Sequence, residues 1–83
     1  MKYRAKIEVA LKLGHSDPEG ETVSGLLKEL GYMVGSVNVS KVYSIVLEAQ
    51  TSKEARTKAN EISKRLLANP TKDNYTITLE EQE

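Results

Sequence analysis

The chain has 83 residues, with twelve lysines and arginines set against twelve aspartates and glutamates, one histidine and no cysteine. That length suits one domain, and a formal charge of zero argues against a protein that grips nucleic acid by neutralising phosphates. Without cysteine there can be no disulfide, thiolate metal site or thiol nucleophile.

A domain this short buries only about 60% of the surface its unfolded chain exposes, so its stability is marginal. Small domains compensate with disulfides, metals or association, and here association is the expected source. Met1-Lys2-Tyr3-Arg4 carries charges where a secretory leader would need an apolar run, and no stretch approaches the length of a membrane span. A soluble cytoplasmic protein is the expectation.

Residues 2 to 13 alternate strictly. Tyr3, Ala5, Ile7, Val9, Leu11 and Leu13 share one parity; Lys2, Arg4, Lys6, Glu8 and Lys12 share the other. A period of two predicts a half-buried strand. At the usual rise it would extend about 40 Å, whereas a compact chain of this size is roughly 30 Å across, with a radius of gyration near ~12 Å. One end is therefore expected to bend or project, and a projecting end would offer unpaired backbone to a strand of another subunit. His15 follows in a polar turn beside Ser16 and Asp17, and reads as solvated surface because metal and acid–base sites need converging partners.

Asp17-Pro18-Glu19-Gly20 opens a helix, with Asp17 as cap and Pro18 at its first position. Val23, Leu26, Leu27 and Leu30 recur at the spacing of one buried face, and Gly31-Tyr32 predicts a Schellman ending. Gly25 lies opposite that stripe. It reads as a tolerated surface glycine, with close approach of a partner backbone as the alternative.

Val37 and Val39 alternate with Ser36, Asn38 and Ser40, then Tyr43, Ile45, Leu47 and Ala49 alternate with Ser44, Glu48 and Gln50. These segments predict a hairpin turning at 40–42. Thr51-Ser52-Lys53-Glu54 is a capping box in which Glu54 would reach back to Thr51. The second helix presents Ala55, Ala59, Ile62 and Leu66 on a narrow face. It must stop by Asn69-Pro70, because proline lacks an N–H and disfavours helical geometry in the residue before it; Asn69 could close it in the left-handed region. Tyr75, Ile77 and Leu79 mark the last strand, and the acidic tail 80–83 is expected to fray.

The order β-α-β-β-α-β predicts an α+β domain over residues 1–83. Its expected form is a four-stranded antiparallel sheet with two helices on one face, the ferredoxin-like or split βαβ arrangement. Val34, Val42 and Val46 fall off the inward parity and would form a sparse second patch, to be buried in an oligomer.

No phosphate loop, Ser/His/Asp set or carboxylate cluster with metal spacing is present, so no catalytic, cofactor-binding or metal residues are expected. RNA-recognition domains share the topology and place stacking aromatics on the central strands. Tyr3 and Tyr43 occupy strands but share parity with the apolar residues, which aims them at the core. A small ligand-sensing domain, binding a metabolite at a subunit interface, is the second reading; RNA binding is the third.

Three segments taken together resemble the PurS family, the small subunit of multi-subunit formylglycinamide ribonucleotide amidotransferase (phosphoribosylformylglycinamidine synthase). They are Asp17-Pro18-Glu19-Gly20 after a long strand, Leu30-Gly31-Tyr32 leading to Val37-Asn38-Val39-Ser40-Lys41, and Leu66-Leu67-Ala68-Asn69-Pro70 with Tyr75. The resemblance runs from Tyr3 to about Leu79. The family commonly carries Arg and Gly where this chain has Asn38 and Ser40, while Lys41 matches. The resemblance implies a non-catalytic accessory subunit of an ATP-dependent, glutamine-using ligase of purine biosynthesis. It implies a homodimer or homotetramer that bridges glutaminase and synthetase subunits and supports ammonia transfer, with ATP and Mg used by the synthetase partner. Lys41, Asn69, Pro70 and Tyr75 become the candidate partner contacts.

Overall fold

The computed structural model describes residues 1–82. Strand β1 (Lys2–Leu11) is followed by helix α1 (Pro18–Glu29), strand β2 (Lys41–Glu48), helix α2 (Ser52–Ile62) and strand β3 (Asp73–Gln82). The class is α+β, with an antiparallel sheet and two helices as the alternation of the sequence requires. β1 lies in the middle and pairs with β2 from Lys2↔Glu48 to Val9↔Lys41. On its other side it pairs with β3 from Lys2↔Gln82 to Leu11↔Asp73.

Two expectations change here. The overlong strand ends at Leu11 and has no unpaired projecting end, because β3 accompanies it throughout; the free edges belong to β2 and β3. The sheet has three strands, since residues 36–40 join no ladder. They run back along α1 instead, and two hydrogen bonds tie the returning segment to it. The N–H of Val39 donates to Asp17 Oδ2 at 2.8 Å, and Ser24 Oγ donates to the Gly35 carbonyl at 3.4 Å. Gly20 makes this approach possible: a Cβ there would stand 2.1 Å from the Val37 carbonyl oxygen.

Parity sets the core. Tyr3, Ala5, Ile7 and Val9 of β1 are buried, and α2 covers them with Ala55 and Ala59. These alanines let the helix backbone sit close to the sheet. Around this nucleus Tyr43, Ile45 and Leu47 of β2 and Tyr75, Ile77 and Leu79 of β3 are half-buried. Tyr3 is 4% exposed, so it is a core residue and offers no stacking platform.

After Ile62 the helix widens into a π turn over Ser63–Leu67, closed by the Ala68 N–H donating to the Ser63 carbonyl at 2.9 Å. A π turn takes more residues per revolution than an α turn. The inward position therefore passes from Leu66, which is 80% exposed, to Leu67, while Ser63 is wholly buried and donates to the Ala59 carbonyl. Ala68 then turns extended, and no residue other than glycine has positive φ among those described, so Asn69 does not close the helix left-handed.

The caps follow the sequence with one change. Gly31 and Tyr32 donate to the carbonyls of Lys28 and Leu27, the Schellman pair, with Gly31 at φ +96°. Thr51 accepts from the Glu54 N–H, but Glu54 reaches the N–H of Gln50, not that of Thr51. Glu54 also pairs with Lys58, whose ammonium donates to the Glu48 carbonyl and ties α2 to the end of β2. At the other terminus β3 continues through Glu80, Glu81 and Gln82, residues expected to fray. Arg4 and Lys2 stand opposite Glu80 and Gln82, so cations face this acidic stretch. Glu83 lies outside the described residues.

The molecule is long and thin, 51 × 29 × 14 Å, with a radius of gyration of 16.4 Å instead of the ~12 Å of a compact chain. The excess arises because α2 packs on β1 and β3 whereas α1 has no comparable seat on the sheet. Its stripe is largely uncovered, with Leu26 54% and Leu30 74% exposed.

The two helical glycines of α1 should respond oppositely to alanine. Gly20→Ala forces the returning segment away and is expected to cost about 1–3 kcal/mol as an overpacking change. Gly25 faces open space, so Gly25→Ala should add about 0.5–1 kcal/mol. Urea unfolding of both variants measures this, and equal effects would contradict the packing described.

Candidate functional site

Three of the four candidate contact residues converge where α2 gives way to β3, and the fourth joins them across the sheet. Asn69 organises the junction. Its Oδ1 accepts from the Thr71 N–H at 2.9 Å and its carbonyl accepts from the N–H groups of Lys72 and Asp73. In return its own N–H donates to Asp73 Oδ2 at 2.9 Å. This is a turn closed by its own side chains, the usual use of Asn and Asp before a strand. The Pro70 carbonyl accepts from Lys12 Nζ at 2.8 Å, and the Lys12 N–H donates to the Lys72 carbonyl at 2.7 Å. The junction is thereby held to the end of β1.

Tyr75 packs its ring against the core cluster and donates its hydroxyl to Asn60 Oδ1 on α2. In register, Val9 stands between Lys41 of β2 and Tyr75 of β3. Directly opposed residues share a face, so Lys41 and Tyr75 lie on the helix-bearing side about two strand spacings, roughly 10 Å, apart. Lys41 is exposed at the first position of β2 and borders a cavity of about 240 Å³ with Tyr43, Leu67, Asp17 and Glu19. The start of α1 is thus near the same end.

Asp17 matters more than a helix cap would suggest. Oδ1 accepts from the Gly20 N–H at 2.9 Å while Oδ2 takes the Val39 N–H. One carboxylate caps α1 and fastens the segment leading into β2. Both bonds favour the ionised form, Gly20 first and Val39 second, and hold its pKa below the ordinary 3.8. Glu54 is likewise held below 4.5, chiefly by its hydrogen bond with Lys58 and then by the Gln50 N–H.

Sequence reasoning missed Lys12, Asn60 and Asp73, which brace the junction, and the second bond of Asp17. The spacing Asn69-x-x-x-Asp73 was a usable signal for the turn; the Lys12 and Asn60 contacts depend on tertiary approach. His15 is exposed in its turn. Among the described residues no group of His, Cys, Asp and Glu could hold a metal ion, and no helix is long and apolar enough to cross a membrane.

The other notable surface is apolar. Along α1 and the turn after it, Val23, Leu26, Leu30, Tyr32 and Met33 are exposed, and Met33 is fully so. On the open face of the sheet Val42 and Val46 are exposed, flanking Ser44, which accepts from Arg4. Val34 lies apart from them in the returning segment.

Comparison with known proteins places this architecture. The family described as PurS, phosphoribosylformylglycinamidine (FGAM) synthase, matches residues 4–81. A phosphoribosylformylglycinamidine synthase subunit PurS from Methanocaldococcus jannaschii is 34% identical, over 98% of this chain and 99% of its own length. The structure of Thermus thermophilus PurS superposes with a TM-score of 0.89 at 40% identity, covering all of both chains. A chain in the structure of PurLQS from Thermotoga maritima gives a TM-score of 0.87 at 25% identity, over 96% of this chain and 99% of that one.

Acid should release the arm formed by α1 and the returning segment 35–39 before it loosens the sheet. A carboxylate with a depressed folded pKa supplies stability that is complete above its unfolded pKa and lost as pH falls through the folded one. The contribution of Asp17 is therefore expected to drain away below about pH 4. Asp17→Asn should loosen α1 and residues 35–39 at neutral pH and remove that acid-sensitive step. Amide exchange measured at pH 7 and pH 3 tests this, and identical profiles for variant and parent would contradict it.

Proposed function

Because this chain belongs to the PurS family of FGAM synthase subunits, we propose that it is the accessory, non-catalytic subunit of that complex in purine biosynthesis, bridging its synthetase and glutaminase subunits. The complex would convert formylglycinamide ribonucleotide, glutamine, ATP and water to the amidine. ATP and Mg would be handled by the synthetase subunit, and ammonia released by the glutaminase would reach it with this subunit's support. The chain would act as a single domain in the cytoplasm, as a homodimer or homotetramer.

The observation that carries this reading is the family match across nearly the whole chain. Physical features support it. The junction end is built to hold shape: Asn69 and Asp73 close the turn on one another, and Lys12 ties Pro70 to the end of β1. A pre-ordered surface loses less entropy on docking. Lys41 beside that end is the charged contact proposed for a partner subunit, with Asn69, Pro70 and Tyr75 shaping the surface around it.

The uncovered stripe of α1 favours self-association. Leucines at this exposure gain by burial at about 25 cal/mol per Å² of apolar surface, and a second copy carries both the half-covered strand β2 and another α1 to meet it. An isologous contact would let each α1 serve the other copy, closing the assembly in one step.

Coexpression with the synthetase and glutaminase subunits tests the function. The chain should copurify with both in the presence of nucleotide and glutamine, and omitting it should abolish most glutamine-dependent amidine formation. Failure to copurify, with full activity in its absence, would overturn the proposal. Lys41→Glu should weaken copurification while leaving the folded chain intact; unchanged capture would remove Lys41 from the interface.

A further inference from the structure

A cavity of about 440 Å³ opens beside the junction, on the face lined by Lys12, Lys64, Ala68, Pro70, Asp73, Asn74 and Tyr75. Its volume falls within the range of small-molecule sites, roughly 300–1,000 Å³. We infer that this cavity binds a small organic monocarboxylate with an apolar body, held by its anionic end at the two lysines.

The walls supply the two kinds of contact such a ligand requires. Ala68, Pro70 and the ring of Tyr75 form an apolar surface. Lys12, Lys64 and Asn74 supply donors around it. Lys12 is already fixed by one bond to the Pro70 carbonyl, which leaves two of its three ammonium hydrogens for a ligand. Lys64 is unspent: among the described residues the ion pair within 4 Å is that of Lys58 with Glu54, and Lys64 makes none. Asp73 also borders the cavity, but its Oδ2 is engaged by the Asn69 N–H.

The charge count selects the ligand. Two ammonium groups and one carboxylate leave one uncompensated positive charge, which a monocarboxylate neutralises and a phosphate dianion would overcompensate next to Asp73. The apolar wall selects further, because a bare inorganic anion would leave Ala68, Pro70 and Tyr75 against water. A single acidic side chain from a protein partner would satisfy the charge but brings no apolar body to cover Ala68, Pro70 and Tyr75.

The site is placed where occupancy could be felt. Tyr75 is bonded to Asn60 of α2, and Pro70 is bonded through Lys12 to the end of β1, so a ligand here touches α2, the junction, β1 and β3 together.

Titration of the isotopically labelled full-length chain with benzoate, followed by amide NMR, tests the inference. Saturable shifts are expected at Lys64, Ala68, Asn74 and Tyr75, beyond those produced by sodium chloride at equal ionic strength. Benzyl alcohol, without the charge, and inorganic phosphate, without the apolar body, should both bind more weakly than benzoate. Lys64→Gln, at an exposed position, should keep the fold and weaken benzoate by about threefold, the scale of one solvent-exposed ion pair. Shifts that follow ionic strength alone, equal binding of benzyl alcohol, or indifference to Lys64→Gln would overturn the site. Binding of acetyl-glutamyl-amide as tight as benzoate would assign the cavity to an acidic side chain of a protein partner, and would overturn it too.

Discussion

The packing of α2 governs the rest of this molecule. Ala55 and Ala59 bring the helix down onto β1 until Ala5 and Ile7 are sealed from water, and the same helix leans over β3. It meets β2 only at the strand's end, where Lys58 holds the Glu48 carbonyl. The strand is left with Tyr43, Ile45 and Leu47 half-covered, and the helix that ferredoxin-like domains would set there stands away with Leu26 and Leu30 exposed. In a domain of this size the apolar surface buried barely offsets the entropy of ordering the chain. A layer left half-finished is therefore a large fraction of the possible stability.

What keeps the arm ordered without a core beneath it is local bonding. Asp17 supplies one oxygen to α1 and the other to Val39, Gly20 allows the returning backbone to lie against the helix, and Gly31 closes the far end. These contacts define a hairpin of helix and extended chain that keeps its shape while presenting an apolar side. Such pre-ordering reduces the entropy lost on docking. A braced junction at one end and an apolar arm beside it suit the proposed role of holding larger subunits together.

Much of this was legible in the residues. Alternation located the core face of each strand, Asp17-Pro18 and Thr51 located both helix starts, and Gly31-Tyr32 gave the Schellman ending. Asn69-Pro70 marked where helical structure must yield. The failures share a cause. Val37 and Val39 alternate like a strand, but pattern cannot disclose that Asp17 claims the Val39 N–H. The stripe on α1 has the spacing of a buried face, and periodicity identifies an apolar side without saying which chain buries it. Leu66 was misplaced because one π turn moves the inward position by a residue, and no local signal announces that turn. The junction residues were legible as a helix stop, and their role as partner contacts came only through the resemblance; Lys12, Lys64 and Asn60 could be joined to them only by tertiary approach.

If the inner surface of β2 and the stripe of α1 are completed by another copy, the isolated chain cannot persist as a monomer at working concentration. Light scattering across a dilution series measures this directly. A mass of two or four times 9.2 kDa, falling towards one copy only at high dilution, is the expected result. A constant mass of one copy at every concentration, with α1 equally protected from amide exchange throughout, would contradict it.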